Sequence, residues 1–186
     1  MNMFKVCALS LLFFGLPMQY KMVKTKVNES ITLMLPEEFY PMTPEDIARR
    51  YPSVRSPLGA YTIPSLMADF SVNISATRWR ASDIDMAKNF FRAGVYNLFD
   101  KVTMIREEVQ TVNGKQFIVF EFDSRINGDP SSLEARQPVR RYNYVQYLLI
   151  NGKTIVFSFN CHARIKEQWQ QAVAEIMTSI KVKNNI

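Results

Sequence analysis

Cys161 and His162 are the one place in this sequence where a nucleophile and a base are neighbours, and His162 is the only histidine. A thiol gains nucleophilicity when a nearby base takes its proton. Adjacent residues of a strand point to opposite faces, so this pair cannot meet unless the chain bends between them. A Ser-His-Asp triad or a multi-His metal site would have to use the same histidine. The residues predict a core thiol and a histidine at a strand–helix junction. Asp83 and Asp85 fall at a predicted helix start, where negative charge complements the helix dipole. Glu107 and Glu108 are strand neighbours that should diverge, whereas a glycosidase needs two carboxylates facing across a set distance. Asn127-Gly128-Asp129 lacks the spaced acids and terminal Glu of a calcium loop. The sequence holds no glycine-rich phosphate loop, nucleophile elbow or zinc-protease helix. Neither Cys7 nor Cys161 has a second Cys or a spaced His as co-ligand. The residues therefore imply no catalytic group, no metal and no cofactor.

Arginine gives the strongest binding signal. Arg125, Arg136, Arg140 and Arg141 lie in or beside a 125–140 connection that is long for an antiparallel link. Guanidinium groups grip carboxylate or phosphate through two parallel bonds, so these four could form an anion-binding rim. The competing reading is a solvated loop. The 51–63 link, with Tyr51, Arg55 and Tyr61, is a second candidate partner surface.

The elements that would position these residues are easier to read. Asn113-Gly114 and Asn151-Gly152 each separate two β-rich runs, 102–112 from 115–123 and 141–150 from 153–161. An Asn-Gly pair favours a type I′ turn because both residues tolerate positive φ. Four consecutive antiparallel strands follow. In the second and third of them both faces are apolar, so both should be covered. A strand at 31–35, a short one near 60–63 and a longer one at 67–76 precede them. Along 67–76 polar and apolar residues alternate, which predicts one buried and one exposed face. Thr43-Pro44-Glu45-Asp46 starts a two-turn helix. Ser82-Asp83-Ile84-Asp85 has capping-box spacing and predicts a helix to about residue 98, with Ile84, Ala87, Phe91, Val95 and Leu98 inward. Ile165, Trp169, Ala172, Val173, Ile176 and Ile180 mark a C-terminal amphipathic helix. The fold class is α/β (α+β): an antiparallel sheet with helices on both faces, an α/β/α sandwich.

The 186 residues, 47% apolar and 22% charged, suit one globular domain. The net charge of +6 is dispersed rather than gathered on one element with exposed aromatics. Specific nucleic-acid binding is thereby disfavoured, leaving another protein or an anionic envelope component as partner. Lys5 and the apolar run 6–16 read as a secretory signal too short to span a bilayer, although 16–20 lacks an A-x-A cleavage pattern. Residues 1–20 are expected to be a signal peptide or N-terminal anchor, with possible membrane association. A buried first element of a cytoplasmic protein is the alternative.

Leu33-Met34-Leu35-Pro36-Glu37-Glu38-Phe39, a mid-chain helix and an Asn-Gly hairpin resemble the PsbP-like superfamily. So does the ending, a second hairpin followed by a Trp-containing helix and Ser179-Ile180. The superfamily includes photosystem II extrinsic proteins, a Ran-binding nuclear transport factor, and small bacterial envelope proteins and chaperones. The resemblance implies one α/β sandwich domain over 26–183 used for binding, with no catalytic residues to carry over. It points to a non-catalytic exported accessory protein of the bacterial cell envelope, periplasmic or membrane-associated. The alternatives are a cytoplasmic chaperone or adaptor covering hydrophobic segments of a partner, and a hydrolase or small-ligand enzyme with an unrecognised cleft.

Overall fold

Both Asn-Gly pairs reverse the chain through left-handed backbone, with φ of 47° and 77° at Asn113 and Gly114 and 51° and 69° at Asn151 and Gly152. Glycine adopts this region without steric cost and Asn tolerates it, so these turns match the twist of the strands they join. The computed structural model describes residues 20–51, 55–128 and 137–186. The expected leader, apart from Tyr20, and Arg136 lie outside the described residues.

In chain order the strands are β1 (Met22–Lys26), β2 (Ile31–Pro36), β3 (Tyr40–Pro41), β4 (Gly59–Thr62) and β5 (Ala68–Ile74). The meander β6 (Lys101–Val112), β7 (Lys115–Ile126), β8 (Val139–Ile150), β9 (Lys153–His162) and a terminal β10 (Lys181–Val182) complete the set. The helices are α1 (Pro44–Arg50), α2 (Ile84–Leu98) and α3 (Lys166–Ser179). Seven strands form one sheet in the order β3-β4-β5-β9-β8-β7-β6, and β1-β2-β10 form a second, smaller sheet. Every pairing is antiparallel.

One face of the large sheet carries Phe70, Val72, Phe117, Val119, Tyr142, Tyr144, Phe157 and Phe159, all at most 2% exposed. It packs against α3 and the small sheet in a single core. Trp169 of α3 anchors that core, its ring centroid 5.6 Å from Phe159 and 4.7 Å from Tyr20. The other face is divided. Over β6, β7 and β8 it is apolar, and Ala87, Phe91 and Val95 of α2 cover Ile118, Phe120, Val145 and Leu149. Phe91 stacks on Tyr147 at 4.1 Å. Over β4, β5 and β9 it is polar and α1 lies near it. The result is the expected antiparallel sheet with helices on both faces.

Several local expectations need correction. Arg125 lies in β7 and Arg140 and Arg141 in β8, so the connection between the hairpins is shorter than 125–140. The ladder continues past the apolar runs because backbone pairing, not side-chain polarity, extends a strand. Ser82 does not cap α2: a 3-10 turn at Ala81–Asp83 comes first, and Asp83 stands at the N-cap without a side-chain cap bond. Leu98 closes α2 at 72% exposure rather than facing the core. Along β5 both faces are buried, since Asp69 and Ser71 are 5% and 1% exposed. Thr43 does cap α1, its Oγ1 accepting from the Asp46 N–H at 3.1 Å.

Candidate functional site

The polar half of the divided face is built by strand register. Thr62 opposes Asp69, Asp69 opposes Asn160, and Asn160 opposes Asn143, so one row of polar side chains crosses four strands. Burial makes each of them depend on a partner. Arg50, at the end of α1, reaches down to pair with Asp69. The Thr62 hydroxyl donates to the same carboxylate at 2.7 Å. Tyr51 follows and shares a hydrogen bond with Ser71; burial raises its hydroxyl above the ordinary tyrosine value. Arg141 Nη1 donates to Asn160 Oδ1 at 2.5 Å, and Asn143 Nδ2 to Ser124 Oγ at 2.9 Å. These groups hold α1 onto the sheet and satisfy one another.

The arginines therefore part company. Arg141 points to the α1 side with Tyr51. Arg125 and Arg140 are cross-strand neighbours on the opposite face, and Lys101 of β6 continues their row. Three cations stand side by side at this end of the sheet. Tyr61 is 8% exposed in the α3 core and presents no surface. Arg55 lies at the other end of the sheet, in a cleft beside the β8–β9 turn.

Cys161 and His162 separate as strand alternation requires. Cys161 is fully buried on the α3 face, and burial pushes its thiol up to about 12. His162 is exposed, its Nδ1 accepting from the Arg164 N–H at 3.3 Å. Glu107 and Glu108 diverge too. Glu107 ties down α2 through Arg92 at 2.9 Å and Lys88 at 3.5 Å, while Glu108 pairs with Arg106 on the α3 face. Among the described residues no three His, Cys, Asp or Glu side chains converge as metal ligands.

The feature that sequence reasoning missed is the outer side of α2. Met86, Phe90 and Leu98 are 67%, 49% and 72% exposed. Met86 and Phe90 stand one turn apart, which puts them on one side of the helix. A methyl group added at Gly94, a further turn on, would touch nothing. Phe90 leans on Trp79, with centroids 5.4 Å apart. The signal was present as apolar residues at 86 and 90, in addition to the inward set at 87, 91 and 95.

Similarity to solved structures is extensive in shape and small in sequence. The yeast (Saccharomyces cerevisiae) Ran-binding protein Mog1p matches with a TM-score of 0.60 at 12% identity, over 88% of this chain and 96% of that one. The cyanobacterial PsbP of Synechocystis matches at 0.55 and 12%, over 96% of this chain and 98% of its own. This chain has the PsbP-like fold. LpqN, involved in cell envelope biogenesis of Mycobacterium tuberculosis, has the same fold, at 0.55 and 10%, over 88% and 91%. No protein-family model and no curated protein matches the chain. Within the PsbP-like frame, the α3 face is closed core and the α2 side is the open one.

Proposed function

We propose that this PsbP-like chain is a non-catalytic accessory protein, exported to the bacterial cell envelope, that binds another protein through the outer side of α2. The apolar pair Met86 and Phe90, one turn apart on the outer side, carries the reading, with Leu98 exposed at the helix end. Scattered apolar residues on a surface need no explanation, but two exposed on the same helix side with an aromatic backing mark a contact surface. Helix-on-groove recognition uses anchors at this spacing.

Export is supported by Lys5 and the apolar run at 6–16, and the envelope by LpqN, whose role is in cell envelope biogenesis. The Ran-binding title of Mog1p supports a protein partner for this fold without naming this one. The absence of a catalytic role rests on Cys161 and His162. A buried protonated thiol and a histidine on the opposite face cannot act as nucleophile and base.

The test is fractionation of native cells with the mass and N-terminus of the mature chain. A chain shortened by about 15–30 residues in the envelope is expected. An intact chain in the cytosol would overturn export and favour the intracellular adaptor. A photo-crosslinking residue in place of Phe90 should capture one protein that the same group at Tyr40, on the sheet edge, does not. Equal capture from both positions would remove α2 as the contact surface.

A further inference from the structure

We propose that the cleft at the β8–β9 turn binds a ligand carrying two or more phosphate groups. The cleft has a volume of about 750 Å³ and lies between the end of β5, the Asn151-Gly152 turn and the start of α2. That volume falls in the range of small-molecule sites. Its lining includes Arg55, Arg78, Trp79, Arg80, Asp83 and Lys153, four cations against one carboxylate.

The local chain explains the convergence. Ser75 continues the ladder by donating its N–H to Thr154 O at 2.9 Å. Its hydroxyl then accepts from the Thr77 N–H at 3.2 Å and bends the chain away from the sheet. In the segment that follows, Trp79 turns inward against Phe90 and Phe91, while Arg78 and Arg80 are both exposed on either side of it. Lys153 enters from across the cleft, immediately after the type I′ turn.

Several basic side chains elsewhere are neutralised by acidic neighbours. Lys21, Lys26, Arg49, Arg50, Lys88, Arg92, Arg106 and Lys166 each pair with a carboxylate. Among the described residues Arg78, Arg80 and Lys153 have none. Like charges gathered in a concave site repel one another and focus positive potential, and a bound anion relieves both effects. The N-terminus of α2 begins here without a side-chain cap, and its N–H groups and dipole favour phosphate. Guanidinium groups bind phosphate oxygens in pairs. Arg78, Arg80 and Lys153 against Asp83 leave an excess of two positive charges, which matches a diphosphate better than a single carboxylate.

The cleft adjoins the outer side of α2 through Trp79, which packs against Phe90, but its test needs no partner. Pyrophosphate is titrated into the full chain at about 0.15 M salt, where diffuse surface attraction is screened. Calorimetry reads affinity, and the indole N–H resonance of Trp79 reads location. Saturable binding that shifts this resonance and leaves that of Trp169 still is expected. The double variant R78Q/R80Q should weaken binding about tenfold or more, as loss of charge-assisted bonds requires. R140Q, at the opposite end of the sheet, should leave it unchanged, and citrate should bind about tenfold more weakly than pyrophosphate. Cardiolipin vesicles, whose headgroup carries two phosphates, compared with phosphatidylcholine, distinguish the source of the phosphate. Binding to those vesicles that R78Q/R80Q abolishes would assign a lipid headgroup. Equal weakening by R140Q, equal citrate affinity, or no binding to either probe would overturn the proposal.

Discussion

The two faces of the large sheet use the same strands to opposite ends. Toward α3 the side chains of β5, β9, β8 and β7 form one apolar surface, and α3 with the small sheet closes it. Toward α1 and α2 the same strands carry a polar half and an apolar half. Each half needs its own cover, and the covers are short or thin. The closed face accounts for the fold. The divided face leaves seams, an exposed helix side and a charged cleft, which are the places where a ligand or partner finds groups to meet.

The contrast breaks most sharply when a large side chain is removed from the closed face. Phe159 is fully buried and touches the Trp169 and Tyr142 rings, at 5.6 Å and 6.3 Å. Phe159→Ala should cost about 3–5 kcal/mol, transfer and cavity together. Urea unfolding of the two chains measures it, and a loss under about 1 kcal/mol would mean that this core relaxes freely. On the divided face the corresponding weak point is electrostatic. Asp69→Ala leaves Arg50 facing Thr62 without its carboxylate, at a cost of about 3 kcal/mol. Arg50 keeps some contact with water, its side chain 18% exposed, which places the effect at the lower end for a broken buried pair. A double-mutant cycle with Arg50→Ala isolates the pair, and additive losses would show that Arg50 and Asp69 do not couple.

The legibility of the sequence follows this division. Alternation and turn chemistry are local, so the hairpins, the two longer helices and the antiparallel fold class could be read directly. Asp69 and Ser71 could not be read as buried, because their cover comes from α1 and from the neighbouring strands, far away in sequence. Arg141 parts from Arg125 and Arg140 for a geometric reason. Arg140 and Arg141 are neighbours on a strand and must face apart. The cleft was overlooked because its members, Arg78, Arg80 and Lys153, come from two distant segments. Only the spacing of Arg78, Trp79 and Arg80 hinted that two charges would flank one anchored ring.

A gentler probe compares Cys161 and His162, neighbours on β9 that face opposite sides. Burial holds the Cys161 thiol up to about 12, against about 8.5 in an unfolded chain. The contribution is complete below the unfolded value and is lost as pH rises toward 12, because the unfolded chain gives up a proton that the folded one keeps. The loss is at most about 1.4 kcal/mol per pH unit. Urea midpoints should fall more steeply between pH 9 and about 10.5 in the parent than in Cys161→Ala. Parallel slopes would show that the thiol meets water in the folded state.

The smallest effect on stability belongs to the outer side of α2, and there the comparison becomes one of function. Met86 and Leu98 are 67% and 72% exposed, so replacing each by Glu removes little buried area. The helix is held from beneath by Phe91, stacked on Tyr147, and by Glu107, paired with Arg92 and Lys88. Met86→Glu/Leu98→Glu should therefore shift unfolding by no more than about 0.5 kcal/mol per site. Capture of the partner by a photo-crosslinking group at Phe90 should nonetheless fall about tenfold or more, since two charges would have to be desolvated in an apolar contact. Loss of stability without loss of capture would reverse the assignment. It would place Met86 and Leu98 among the residues that hold the fold and leave the divided face with its cleft alone.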